Sequence, residues 1–296
     1  MKIIILGAGA IGSLYGAKLS EHNDVTLVCR EKHAGAINKS GLKVEGIINR
    51  TYDVRAVTKI KNIEKTTLLI VTTKAQDSKK AFLPVKNLIR KDTIILCLQN
   101  GLYSEDIIKK IVGKRCLVLR AITNFGAIFL EPGKVSYKTD SYTSIEKSKF
   151  SEKIAQNFTK CGLNAHVSKN IKHDMWKKLV LNCALNPVTA ILKITNGGII
   201  DQRLDPLKKL IIDECIRVAK KDGINFDFDF LEFLNKEFKN SKNRSSMQQD
   251  LLKGKKTEID YLNGAVVNLG KKFGIKCPVN SAIVSIIKEM ERLPKA

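Results

Sequence analysis

Lys2-Ile3-Ile4-Ile5-Leu6 runs straight into Gly7-Ala8-Gly9-Ala10-Ile11-Gly12, and that junction decides the fold. The apolar, β-branched run has the length and character of a buried parallel strand. The glycines fit G-x-G-x-x-G. A helical stretch follows over about 11–21, and Val25–Cys29 is a second apolar run. Strand, glycine turn, helix and strand together form the context that makes the motif a dinucleotide-binding signal. Gly7 permits the tight turn, Gly9 lets backbone approach a pyrophosphate, and Gly12 lets helix pack on strand. The helix N-terminus offers free N–H groups and a partial positive charge to phosphate.

Working outward, the end of the second apolar run is the next informative place. NAD enzymes put Asp or Glu there for the ribose 2′-hydroxyl. Here the position holds Arg30, with Glu31 beside it. A carboxylate repels a 2′-phosphate, whereas a guanidinium clasps it with paired N–H bonds. The residue predicts NADP(H), although Glu31 could still face the ribose.

The next strands keep the same rhythm. Apolar runs at 66–73, 93–98 and 116–121 alternate with helical stretches at 76–88 and 104–112. That alternation predicts a doubly wound, mostly parallel sheet of Rossmann type. Ligands bind beyond the carboxyl ends of such strands. Gly7–Gly12, Arg30, Thr73-Lys74 and Asn100-Gly101 all fall there. From 133 to 146 short alternating pieces suggest a small antiparallel extension, followed by a helix over 151–161 and a last strand over 164–167. Beyond Lys169 strands vanish. The boundary is expected near it, giving an NADP-binding domain over 1–169 and an all-helical substrate domain over 170–296. Helices are predicted over 171–185, 206–222, 229–239, 245–273 and 279–292, the first ending or kinking at Asn186-Pro187.

Composition narrows the class. The chain has 296 residues, of which 44% are hydrophobic, enough for two domains with proper cores. No apolar run approaches the ~20 residues that cross a bilayer, and no signal peptide is evident. A soluble, cytoplasmic protein is expected. Seven cysteines without a C-x-x-C and four scattered histidines offer no metal site and suit a reducing compartment. The net charge of +23 is spread along the chain. It would help attract anionic ligands. No nucleic-acid motif accompanies it, so no specific nucleic acid is expected, and no membrane. The helical half would permit a homodimer, without residue-level support.

Two polar sets stand out in the second half. Lys178, Asn182 and Asn186 are spaced i, i+4, i+8 on an otherwise apolar helix. Such a stripe faces a polar ligand, water or a second polar element, or is simply exposed. Ser245-Ser246-Met247-Gln248-Gln249-Asp250 and Thr257-Glu258-Ile259-Asp260 are similarly polar. Either serine could cap a helix, and Glu258 could be solvated.

These residues resemble the ketopantoate reductase (2-dehydropantoate 2-reductase) family over nearly the whole chain. The resemblance rests on Gly7–Gly12, Arg30, Lys74 and Gln99-Asn100-Gly101. It is strongest at Trp176-x-Lys178-Leu179-x-x-Asn182-x-x-x-Asn186-Pro187-x-Thr189-Ala190 with Asn196-Gly197. It closes at Ser245-Ser246-Met247-x-Gln249-Asp250 and Thr257-Glu258-Ile259-Asp260-x-x-Asn263-Gly264. It implies NADPH-dependent reduction of 2-dehydropantoate to (R)-pantoate, on the route to pantothenate and coenzyme A. Lys178 would be the catalytic lysine and proton donor, and Glu258 its acidic companion. The cofactor would meet Gly7, Gly9, Ala10, Ile11, Gly12, Arg30, Lys74, Asn100 and Glu258. The substrate would meet Asn100, Lys178, Asn182, Asn186, Asn196 and Ser246. Alternatives are an NADP-dependent reductase of another 2-oxo acid and a non-catalytic dinucleotide-binding protein.

Overall fold

A computed structural model describes residues 1–293 and divides into two units. One holds 1–99 and 103–171, the other 100–102 and the chain from Lys172 onward.

The first unit contains β1 (Lys2–Leu6), α1 (Ala10–Leu19), β2 (Asp24–Val28), α2 (Glu31–Ser40), β3 (Leu42–Gly46), β4 (Arg50–Tyr52), β5 (Arg55–Val57) and β6 (Leu68–Val71). It continues with α3 (Ser78–Phe82), β7 (Ile94–Cys97), α4 (Ser104–Val112), β8 (Leu117–Thr123), β9 (Gly126–Glu131), β10 (Lys134–Thr139), β11 (Thr143–Ile145), α5 (Ser151–Lys160) and β12 (Ala165–Val167). The main sheet has the order β12-β11-β8-β7-β6-β1-β2-β5. Its central pairs are parallel, with Ile5 beside Leu27 on one side and Ile70 on the other. Only the β11–β8 pair is antiparallel. All four residues of β6 are buried, which is why this strand reads as a continuous apolar run.

The predicted extension is a separate sheet of order β4-β3-β10-β9. It is mixed rather than antiparallel, because β10 runs parallel to β3. Helix α1 packs against both sheets, on β2 and on β3, β9 and β10. A helix covered on two sides needs no polar face, and most of α1 is buried. Gly16 lies close against the main sheet, since a Cβ there would lie 2.2 Å from Leu27 Cδ2.

Two further stretches are not as the sequence suggests: 31–40, where no element is expected, and 76–88. The polar residues after Arg30 form α2, whose buried stripe is only His33, Ala34 and Ile37, too narrow to register as a periodic pattern. The helix expected over 76–88 is instead one turn of α-helix, α3, flanked by 3₁₀ turns at Ala75–Asp77 and Leu83–Leu88. Pro84, at the start of the second turn, has no N–H for a continuing α-helix.

The second unit is helical: α6 (Ile171–Leu192), α7 (Asp205–Lys221), α8 (Phe230–Phe238), α9 (Ser246–Leu252), α10 (Asn263–Phe273) and α11 (Pro278–Arg292). The helix expected over 245–273 is broken into α9 and α10. Gly254 takes a left-handed φ of +59° just past α9, and a 3₁₀ turn at Ile259–Tyr261 precedes α10. Helix α6 does the opposite and runs through Pro187 to Leu192. Trp176, fully buried on α6, donates its indole N–H to Asp222 at 2.8 Å. Among the described residues no helix is long and apolar enough to cross a membrane.

Candidate active site

The glycine turn is built as its residue types demand. Gly7 has φ +102°, and a Cβ there would stand 2.7 Å from the backbone nitrogen of Thr73, at the end of β6. Gly12 is equally confined, since its Cβ would come 2.7 Å from Gly7 O and 3.2 Å from Ile5 Cγ2. Gly9 differs. It is exposed, and its Cβ would meet nothing nearer than Gly7 O at 3.9 Å. The protein's own packing does not require glycine there, whereas a ligand lying on the backbone does. No side chain caps the N-terminus of α1, and its first turn, with Ala10 and Ile11, carries no acidic residue. The free N–H groups and the positive end of the helix dipole are open to an anion. These features fit a dinucleotide pyrophosphate.

Arg30 is exposed at the N-cap of α2. Glu31 occupies the first turn of α2, where a carboxylate complements the helix dipole. Lys74, half-buried, is at the N-cap of the turn after β6. Three strand ends are tied together beside it. The Thr72 hydroxyl donates to Gly7 O at 2.9 Å, and buried Gln99 donates to Thr73 O at 2.7 Å and to Ser78 Oγ at 2.5 Å. Arg120, buried on β8, donates to Gln99 O and Ser104 Oγ and pairs with Glu105 at 3.3 Å. It therefore grips both flanks of the loop that carries Asn100. Sequence reasoning did not single out Arg120, but a lone arginine in an apolar strand, Leu-Val-Leu-Arg-Ala-Ile-Thr, was the available signal.

In the second unit, Lys178, Asn182 and Asn186 lie in a row on α6, half-buried at Lys178 and Asn182 and 5% exposed at Asn186. The stripe sinks into the protein along the helix, so it is not a solvated face. Asn100 Nδ2 donates to Glu258 Oε2 at 3.1 Å. Gly101 sits against Tyr261, with φ +84° and room for no Cβ (2.6 Å to Tyr261 O). The chain thus joins two predicted site residues 158 positions apart.

Ser245, not Ser246, caps α9, accepting from the backbone N–H of Gln248. Its hydroxyl also meets Thr189 Oγ1 at 2.9 Å and Asn186 O at 3.3 Å. That fastens the start of α9 to α6 at Asn186 and leaves Ser246 exposed in the first turn.

Asn196 opens a 3₁₀ turn, Asn196–Ile200, held by its own N–H to Asn243 O at 2.7 Å and by Lys208 Nζ to Ile199 O at 2.7 Å. Lys208 is wholly buried and also meets Asp205 and Asn235. Nothing in its sequence context marks it. The Asn196 side-chain oxygen is buried with no hydrogen-bond partner among the described residues. A buried acceptor left open is costly unless a ligand donor fills it.

Three cysteines lie close in sequence to these residues: Cys29 before Arg30, Cys97 before Asn100 and Cys183 after Asn182. Burial pushes the Cys29 thiol up to about 11 and Cys97 to about 12. Burial also raises Cys183 on α6, helped by its neighbour Cys215. All three stay neutral thiols at physiological pH.

Residues 3–149 match the sequence model described as ketopantoate reductase PanE/ApbA, and residues 170–291 match its C-terminal counterpart. The 2-dehydropantoate 2-reductase of Pyrococcus horikoshii is 37% identical, over 99% of this chain and 98% of that protein. Among solved structures, a PanE/ApbA family ketopantoate reductase from Ralstonia eutropha superposes with a TM-score of 0.92 at 28% identity, over 99% of both chains. A ternary structure of D-mandelate dehydrogenase with NADH and anilino(oxo)acetate does so with a TM-score of 0.92 at 29% identity, again over 99% of both chains.

Proposed function

The chain belongs to the ketopantoate reductase family, and on that premise we propose that it reduces 2-dehydropantoate to (R)-pantoate with NADPH. The observation that carries the reading is the row on α6: one ammonium, Lys178, aligned with two neutral amides, Asn182 and Asn186. Bound NADPH supplies a hydride to the ketone carbon. Negative charge then builds on the ketone oxygen. Lys178 polarises that carbonyl and passes its proton to the oxygen as the hydroxyl forms. Asn182 and Asn186 orient the substrate without adding charge. Glu258 fixes the amide of Asn100, so that this side chain meets cofactor and substrate in one pose. The open oxygen of Asn196 accepts from the substrate's hydroxyl, and Ser246, next in sequence to the Ser245 that bonds Asn186 O, also meets the substrate. Gly7, Gly9, Ala10, Ile11 and Gly12 receive the pyrophosphate, while Arg30 and Lys74 receive the 2′-phosphate.

A second reading is a reductase of another 2-oxo acid. It is favoured by the likeness to D-mandelate dehydrogenase, whose solved complex holds NADH. One experiment separates the two. NADPH oxidation is followed with 2-dehydropantoate, 2-oxoisovalerate, pyruvate and benzoylformate, each repeated with NADH. The proposal expects 2-dehydropantoate with NADPH to exceed every other pair in kcat/KM by about a hundredfold or more. Preference for another acid transfers the reading to that acid. Preference for NADH removes the phosphate role of Arg30 and Lys74.

A further inference from the structure

Helix α6 should not pass Pro187 undisturbed. A proline inside a helix has no N–H, so the carbonyl four residues earlier loses its donor. That carbonyl is Cys183 O, on a residue with no exposed surface, where water cannot replace the missing bond. The donor comes from elsewhere in the unit. Asn263, the first residue of α10, donates Nδ2 to Cys183 O at 3.1 Å.

The orientation of this amide is forced by a relay behind it. Buried Glu214 accepts from the backbone N–H groups of Val279 and Asn280 and from Asn280 Nδ2 at 2.7 Å. Asn280 Nδ2 also donates to Ile211 O at 3.3 Å, so its two hydrogens are taken and only its oxygen can face Asn263. Asn263 must then present its NH₂, giving one hydrogen to Asn280 Oδ1 at 2.9 Å and the other to Cys183 O. Its own oxygen is buried with no partner among the described residues. The amide makes both donor bonds at the expense of its acceptor, and the reverse orientation would break both.

We propose that Asn263 is a positioning residue: it supplies the hydrogen bond that Pro187 deletes, and so holds the two halves of α6 in one line. Cys183 follows Asn182 and lies one turn before Pro187. The bond therefore acts at the joint between Lys178 and Asn182 on one side and Asn186 on the other. Without it the orphaned carbonyl bends the helix, and Asn186 leaves the row. The catalytic consequence rests on the function proposed above; the structural coupling does not.

The test is a double-mutant cycle with Asn263→Leu, which keeps the branched shape and removes the donor, and Pro187→Ala, which restores the helical N–H. Each protein is measured for kcat, KM, NADPH Kd and thermal midpoint. In the native background Asn263→Leu is expected to lower kcat about tenfold or more while NADPH Kd moves less than about twofold. In the Pro187→Ala background the same change should cost less than about threefold in kcat, with a correspondingly smaller fall in midpoint. Equal losses in both backgrounds would overturn the proposal. If Asn263→Leu alone does not fold, folding of the double variant upholds the coupling. Failure of the double while Pro187→Ala folds would sink it. The thermal cycle needs no substrate, so a wrong substrate assignment leaves it readable, and a failed cycle leaves the substrate assay untouched.

Discussion

Gly9 and Gly12 stand three positions apart in one motif and serve different masters. Gly12 is glycine because Gly7 O, Thr72 and Ile5 leave no room for a Cβ. Gly9 is glycine although the protein leaves the space open. Gly12→Ala is therefore expected to cost about 1–3 kcal/mol in unfolding free energy. Gly9→Ala should leave stability within about 0.5 kcal/mol and weaken NADPH binding about tenfold or more. Denaturant titration beside fluorescence titration of NADPH checks the pair, and a stable Gly9→Ala with native affinity would remove the pyrophosphate from that turn. For Lys178→Ala the expectation is a loss of turnover of about a thousandfold, with NADPH Kd nearly unchanged. Single-turnover kinetics decide it, and residual rates near native would exclude the lysine as proton donor. The residue types of the candidate site could be picked out because few other residues do the chemistry proposed for them. What held them could not. Gln99 and Thr189 carry the resemblance without a role attached, Arg120 is marked only by its apolar strand, and Lys208 is ordinary in sequence; all four acquire their meaning from partners elsewhere in the chain.

Among the elements, strands and glycine turn were readable because a doubly covered sheet writes continuous apolar runs. The errors fell where an element's stability comes from tertiary partners. Helix α2 buries only a narrow stripe, yet His33 on it is a junction. Its Nε2 lies 3.0 Å from Ser13 Oγ, and its Nδ1 accepts the N–H of Gly133 at 2.8 Å. The ring is thus the neutral tautomer with its proton on Nε2, and burial lowers its pKa. Protonation would put a hydrogen on Nδ1 against the Gly133 N–H. The unfolded chain takes up this proton first, near pH ~6.5. The stabilising contribution is therefore full above that pH and is lost as pH falls through the lower native value. The unfolding free energy of the native protein should drop more steeply between pH 7.5 and 5 than that of His33→Gln. Parallel urea titrations measure this, and identical slopes would mean that His33 does not titrate in that window. The long helix expected over 245–273 failed for the converse reason. Lys253-Gly254-Lys255-Lys256-Thr257-Glu258 interrupts the apolar pattern, the left-handed Gly254 follows the end of α9, and the interruption sets Glu258 where Asn100 reaches it.

On the scale of the whole molecule, the charge of +23 is the broadest property of the chain. Both proposed ligands are anions, and a field of this sign raises their local concentration. Screening shortens that field, from a Debye length of about 10 Å at 0.1 M salt to about 3 Å at 1 M. We expect kcat/KM for 2-dehydropantoate to fall several-fold between about 0.05 and 0.5 M KCl, with a smaller change in kcat. A flat profile would make the excess charge irrelevant to capture. The division into a sheet unit and a helical unit was legible from where strands cease. That residues 100–102 join the helical unit was not, because its links include an amide–carboxylate bond made across 158 positions of sequence and the close contact of Gly101 with Tyr261. Trp176 gives this division an optical handle. It is the only tryptophan in the chain, and it lies buried on α6 against Asp222. Excited at the red edge, the protein therefore emits from the helical unit alone, while its circular dichroism sums both. Where the two signals melt at one temperature the units lose their structure together, and where they part the gap between them is the stability one unit has without the other.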